Sequence, residues 1–241
     1  MKTRLDQLLV QRGLTQSREK AQSLIMAGAV FVEGQKSDKP GKSFATDIQI
    51  DVTESCPYVG RGGYKLAAAL EAFKIQPAGL SCMDVGSSTG GFTDCLLQNG
   101  AARVYCFDVG TNQLDWKIRN DPRVVVRENY NVRYLKPEDV AGKVSIIVCD
   151  VSFISVTLIL PAVMPLLTDN GEMVVLIKPQ FEAGREQVGK GGIVRDPIVH
   201  NQVVERIVLF VEQQLQLKTA VIPSPILGAE GNQEFLLHAH H

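Results

Sequence analysis

The chain is predicted to be an α/β protein: a mainly parallel sheet with helices on both faces, preceded by a small α+β module. Three observations predict this. From residue 66 onward, short apolar runs alternate with helix-length segments, as expected of strands joined by crossovers. Several runs, such as Ser145-Ile146-Ile147-Val148-Cys149 and Met173-Val174-Val175-Leu176-Ile177, are continuous rather than alternating, which marks strands buried on both faces. The first 60 residues instead show two short amphipathic helices and then period-two alternation.

In chain order, Leu5, Leu8, Leu9 and Leu14 fall on one helical face. Ser17 is a candidate N-cap for a second helix over residues 18–27, with Ala21, Leu24 and Ile25 inward and Gly28 as terminator. Residues 29–34 read as a strand and turn, and residues 47–52 as a second strand. Pro57 and Gly60 make residues 53–61 a short linker. Beyond it, residues 65–74 and 91–99 read as helices, and residues 81–85, 103–108, 123–127 and 144–150 as strands. A helix follows to about Leu167, then a strand over 172–178 and a long helix over 197–214. Strands over 218–223 and 233–238 bring the sheet to seven. The domains expected are therefore residues 1–60, linker included, and 61–241.

The chain's 25 basic and 26 acidic residues give a net charge of −1. A globally basic nucleic-acid binder is excluded, but a local patch is not. Residues 1–28 carry Lys2, Arg4, Arg12, Arg18 and Lys20 against Asp6 and Glu19, and Lys36, Lys39 and Lys42 follow. Such helices either grip a phosphate backbone or form a solvated face, and charge alone does not choose. The five cysteines are odd in number and form no C-x-x-C pair, which predicts buried, reduced thiols in a cytoplasmic protein. The N-terminus has charges throughout and no signal-peptide core. The uncharged segment 151–168 is interrupted by Ser152, Ser155, Thr157, Pro161 and Pro165. It reads as a strand end and core helix rather than a membrane span.

In a parallel sheet, ligands bind outside the carboxyl ends of the strands, near the topological switch. Four strand ends carry charge: Asp84, Asp108, Asp150 and Lys178. After Asp84, Gly86-Ser87-Ser88-Thr89-Gly90-Gly91 opens a helix. Gly86, Gly90 and Gly91 allow the backbone to approach a ligand closely. The G-x-x-x-G-G spacing departs from the dinucleotide fingerprint, and no G-K-[ST] follows, which weakens both the NAD and the P-loop readings. An acidic residue before such a loop suits the ammonium of S-adenosylmethionine, and Asp108 suits a ribose diol; an ordinary glycine-rich turn is the alternative. Asp150 and Lys178 form either a structural ion pair or a lysine poised to take a proton. Lys65 and Glu234, taken singly, are more often surface charges than site residues. Phe153 and Phe181 are candidates for stacking on a base, with core packing favoured for both. The glycine-rich loop 184–195 either covers a nucleic acid or is a surface loop. No metal-ligand cluster occurs.

Two resemblances sharpen this reading. RLDQLL followed by SREKAQSLIMAGAVFVEG resembles the ribosomal-protein S-four-type RNA-binding domain; Glu33 stands where that family often has Asn. The stretches GRGGYKL, DVGSSTGGFTD, CDVSFIS, LIKPQFE, GKGGIVRD and NQEFLL resemble the TlyA family of ribosomal-RNA ribose methyltransferases, also called haemolysin-like proteins. Their catalytic domain is similar to FtsJ-type 2′-O-methyltransferases. The resemblance implies a Rossmann-like, class I S-adenosylmethionine-dependent methyltransferase sheet behind an RNA-binding module. It implies ribosomal RNA within ribosomal subunits as partner, a cytidine ribose as target, S-adenosylhomocysteine as product, and neither metal nor membrane. The family's Lys-Asp-Lys-Glu tetrad falls on Lys65, Asp150, Lys178 and Glu234. Asp150 and Glu234 are expected to hold Lys178, which orients or deprotonates the 2′-hydroxyl, while Lys65 positions it or a nearby phosphate. Asp84, Gly86, Ser87, Gly90, Gly91 and Asp108 are the expected donor-binding residues, and Arg4, Arg18 and Lys20 the RNA contacts. A secreted pore-forming haemolysin is the competing expectation.

Overall fold

A computed structural model of the chain describes residues 2–26, 28–52, 56–228 and 231–241. The chain divides into two compact units, Met1–Pro57 and Tyr58–His241. The division falls within the expected linker, of which residues 53–55 lie outside the described residues, as does residue 27 at the end of the second expected helix.

The first unit runs β1 (Lys2–Arg4), α1 (Leu5–Gln11), α2 (Arg18–Met26), β2 (Val30–Val32), β3 (Gln35–Lys36), β4 (Ser43–Ala45) and β5 (Ile50–Val52). Its small core joins Leu5, Leu8 and Leu9 to Ala21, Leu24, Ile25 and Val30. The Ser17 hydroxyl accepts from the Lys20 N–H at 3.2 Å and caps α2. Gly28 at φ 71° ends that region. Glu33 (φ 50°) and Gly34 (φ 73°) are both left-handed and turn β2 into β3. Leu14 is a correction: it is 40% exposed, because α1 stops at Gln11 and Gly13 turns the chain away. The pairing of β1 with β4 was not foreseen; each strand is three residues long and carries little pattern.

The second unit contains α3 (Gly62–Phe73), β6 (Ser81–Val85), α4 (Gly91–Gln98), β7 (Arg103–Phe107), α5 (Trp116–Arg119), β8 (Val124–Arg127) and β9 (Val144–Cys149). It continues with α6 (Leu160–Val163), β10 (Leu167–Ile177), α7 (Pro179–Glu182), α8 (Pro197–Gln214), β11 (Lys218–Pro223) and β12 (Phe235–His240). Seven strands form one sheet in the order β11-β12-β10-β9-β6-β7-β8. The run from β10 to β8 is parallel, and β12 is antiparallel to both neighbours. Met83, Val85, Ile147, Cys149, Met173 and Val175 bury against α6 and α8. The alternate residues Cys82, Val104, Ile146, Val148, Val174 and Leu176 bury against α3 and α4. Burial on both faces accounts for the unbroken apolar runs. Chain order reverses between β6 and β9, so the crevice lies at their carboxyl ends.

The helix expected after Asp150 is instead a series of short turns, with Pro161 and Pro165 each in the first turn of a separate segment. Among the described residues no helix is long and apolar enough to cross a membrane. Cys82, Cys95, Cys106 and Cys149 are free and buried; burial pushes the Cys82 and Cys95 thiols up to about 12.

Candidate active site

Two carboxylate–lysine pairs lie at the carboxyl ends of the central strands. Lys178, following β10, places Nζ 2.5 Å from Asp150 Oδ1, following β9. It also donates to the Ser152 hydroxyl at 2.9 Å. Lys65, one turn into α3, places Nζ 2.5 Å from Glu234 Oε2 at the start of β12. The first pair keeps some solvent contact, whereas Glu234 is 2% exposed. The partnership therefore differs from the expected one: Glu234 holds Lys65, not Lys178. Glu234 meets α7, the short helix after β10, through Gln180, whose amide donates to Oε1 at 3.4 Å.

Asp150 borders two cavities. The larger, about 480 Å³, is lined by Gly86, Asp108 and Val109 on one side and by Val132, Ser152 and Phe153 on the other. The smaller, about 200 Å³, lies among Arg61, Lys65, Ser87, Thr89 and Gly91. Asp108 accepts from the Ser88 N–H at 2.8 Å and from the Gly110 N–H at 2.7 Å. Both oxygens keep a second lone pair for a ligand diol.

The remaining loop residues are placed less simply. Asp84 lines neither cavity. It is fully buried, takes the Thr93 hydroxyl at 2.6 Å, and leaves Oδ1 without a partner. Burial pushes its pKa up to about 7, against the Thr93 bond. The glycines make room for protein as well as for any ligand. A Cβ at Gly86 would stand 2.3 Å from the Asp150 carbonyl oxygen. At Gly90 it would meet Leu114, and at Gly91 the start of α3. The loop's tight curve therefore comes from the β6–β9 and α3–α4 packing as much as from ligand clearance. Ser87 is buried on the wall of the smaller cavity.

Three features were missed or misread in the sequence. Phe153 is 88% exposed at φ 64°, not packed in the core. A bulky residue in that region carries about 1–3 kcal/mol of strain. Its ring lies 4.9 Å from that of Phe181. Glu182 clamps the two active strand ends together: its carboxylate accepts from Ser155 Oγ at 2.7 Å and the Val156 N–H at 2.8 Å. Asn232 staples loop 184–195, donating to the Gly192 carbonyl at 2.9 Å and accepting from the Val194 N–H at 3.1 Å. No signal within a single segment reveals these long-range partners.

In the first unit, Arg4 and Arg18 are tied to one buried carboxylate. Asp6 receives Arg4 bidentately at 3.0 and 2.9 Å and Arg18 at 3.0 Å. Both guanidinium groups remain about half exposed. The Arg4 bonds, with those of Gln22 and Arg18, hold Asp6 well below the usual carboxylate range. Lys20 is exposed and has no ion-pair partner among the described residues.

Comparison with known proteins follows the same division. The FtsJ-like methyltransferase family matches residues 58–241, and the S4 domain matches residues 3–43. The chain is 45% identical to "16S/23S rRNA (cytidine-2'-O)-methyltransferase TlyA" of Mycobacterium tuberculosis, over 98% of this chain and 89% of that one. It is 44% identical to "Hemolysin A" of Brachyspira hyodysenteriae, over 98% of each. A solved structure, "Putative hemolysin from Streptococcus thermophilus", shares 46% identity and a TM-score of 0.77 over 99% of this chain and 88% of that one.

Proposed function

Because the chain belongs to the FtsJ-like methyltransferase family, we propose that it transfers a methyl group from S-adenosylmethionine to a ribose 2′-hydroxyl, that of a cytidine, in ribosomal RNA. The observation that carries this reading is the position of Asp150. It borders both cavities and holds Lys178 at 2.5 Å. The cytidine and the ribosomal RNA come from the M. tuberculosis relative, and the S4 domain supports an RNA substrate.

The donor brings an already activated S-methyl group, so the chain mainly supplies alignment. The cleft suits it: Asp108 offers lone pairs to a diol, beside the apolar Val85, Val109, Val132 and Ile159. Gly86 brings the loop backbone against Asp150, where any Cβ would clash. Lys178 orients the attacking hydroxyl. As the ribose oxygen bonds to the methyl carbon, the S–CH3 bond breaks, its electron pair stays on sulfur and S-adenosylhomocysteine leaves, while the hydroxyl proton passes to the Lys178–Asp150 pair. Lys65, anchored by Glu234, positions the ribose or its phosphate from the opposite wall. Ser152 and Phe153 border the mouth on which the target nucleotide is presented.

A pore-forming reading has the haemolysin names of relatives behind it, but it gives none of these paired charges a role. Incubating purified ribosomal subunits with the protein and methyl-labelled donor tests the proposal. Label in RNA of either subunit supports it, and label confined to protein, or none, rejects it.

A further inference from the structure

The Lys178 ammonium has one directional partner. Asp150 Oδ1 stands 2.5 Å from Nζ, yet that oxygen accepts no hydrogen bond among the described residues, so the pairing is Coulombic and sets no angle. The Phe181 ring, 5.9 Å from Nζ, adds attraction but again no hydrogen bond. The bond to Ser152 Oγ at 2.9 Å is the ammonium's only hydrogen bond among the described residues. An ammonium carries three N–H groups around one axis. A nearby charge draws the nitrogen close but leaves it free to turn about that axis. One directed bond stops the turning and so fixes the other two N–H groups as well.

The segment that carries Ser152 is tied at both ends. The Asp150 N–H donates to the Val85 carbonyl at 2.9 Å. Beyond Ser152, Ser155 Oγ and the Val156 N–H both donate to Glu182, the last residue of α7, which follows Lys178 directly. Between these ties Phe153 is left-handed at φ 64°, and such strain persists only where the surroundings over-determine it. Ser152 is exposed on the wall of the larger cavity, which Asp150 also lines. We propose that Ser152 is the positioning residue of Lys178: it sets the rotation of the ammonium, so that a second N–H meets the ribose 2′-oxygen while Asp150 stays alongside. This rests on the methyltransferase reading above. Alignment of the attacking group is the main service of this chain, so an ammonium that turns freely slows transfer without disturbing donor binding.

Single-turnover methyl transfer to ribosomal RNA by the full chain tests this, together with acylation of Lys178 by an amine-reactive reagent, read by mass spectrometry. Ser152→Ala is expected to lower the transfer rate at saturating RNA about tenfold, to leave RNA and S-adenosylhomocysteine affinities within about twofold, and to keep the wild-type unfolding temperature. Without ligands, Lys178 in Ser152→Ala is expected to be acylated about threefold faster, having lost the bond that covers it. Ser152→Thr, which keeps the hydroxyl, is expected to recover most of both effects. An undiminished saturating rate in Ser152→Ala overturns the proposal; if RNA affinity alone falls, Ser152 is a contact to the RNA instead. Unchanged acylation overturns it as well, as does a Ser152→Thr variant as slow as Ser152→Ala. If RNA takes up no methyl group from the wild-type chain while acylation still responds to Ser152, the methyltransferase reading falls and the Ser152–Lys178 contact stands.

Discussion

The Lys65 ammonium and the Glu234 carboxylate meet at 2.5 Å across 169 residues of sequence. Helix α3 and strand β12 are joined by this contact at the site's wall. Both side chains are almost fully withdrawn from water, so each depends on the other. Removing one partner of a buried pair costs about 3–5 kcal/mol, because the survivor is left uncompensated.

Glu234→Gln is therefore expected to lower stability by about 3 kcal/mol and to reduce methyl transfer. A Lys65→Met, Glu234→Leu double variant, which removes both charges, should unfold at a higher urea concentration than the single variant while remaining inactive. Urea titration of the three proteins checks this. A double variant less stable than the single would show that the contact is not a mutually dependent pair.

Lys178→Ala is expected to leave S-adenosylhomocysteine binding near normal, because Lys178 contacts Asp150 and Ser152 rather than the Asp108 side of the cleft. Calorimetry should give affinities within about threefold of wild type. A much larger loss would move Lys178 from the hydroxyl's side of the site to the donor's.

Asp84 is raised to about 7 by burial. A carboxylate raised in the fold contributes least strain below its unfolded value near 4; the cost grows as pH rises and levels off above about 7. Asp84→Asn keeps an acceptor for the Thr93 hydroxyl without the charge. Its unfolding temperature relative to wild type should rise between pH 5 and pH 8. A difference that does not change with pH would remove the charge as the cause.

Asp6 has the opposite sign. Its native pKa is depressed, chiefly by Arg4, so its contribution is present above about pH 4 and lost as pH falls toward its native value. Arg4→Ala or Arg18→Ala should speed hydrogen exchange in α1, confounding any loss of RNA binding. Lys20→Ala should leave exchange unchanged, weaken RNA binding modestly, and reduce the slope of log affinity against log salt by about 1. An unchanged slope would remove Lys20 from the RNA contact.

Much of the fold can be read from periodicity, because β9 and the second half of β10 are buried on both faces and so carry the continuous apolar runs Ile146–Cys149 and Met173–Ile177. Pro161 and Pro165 already carry the signal that breaks the segment after Asp150; the uncharged length of that segment suggested one helix instead. The antiparallel direction of β12 is set by its neighbours β10 and β11, not by its own residues. At the site, Asp150 and Lys178 are legible because a charge ending an apolar strand needs a partner, and adjacent strands bring those partners together. Which lysine Glu234 holds depends on where α3 lies against β12, and no local pattern encodes that. By composition alone Phe153 reads as a core residue; its left-handed backbone, which turns it to solvent, is visible only in three dimensions.

The central claim is that converging strand ends present a ribose hydroxyl to a methyl donor, with Lys178 aligning it. Ribosomal RNA treated with donor and either wild-type or Lys178→Ala protein, digested to nucleosides and analysed by mass spectrometry, tests this most directly. The account predicts 2′-O-methylcytidine with the wild-type chain and none above background with the variant. A methyl group on a base, or undiminished 2′-O-methylcytidine from Lys178→Ala, would contradict it.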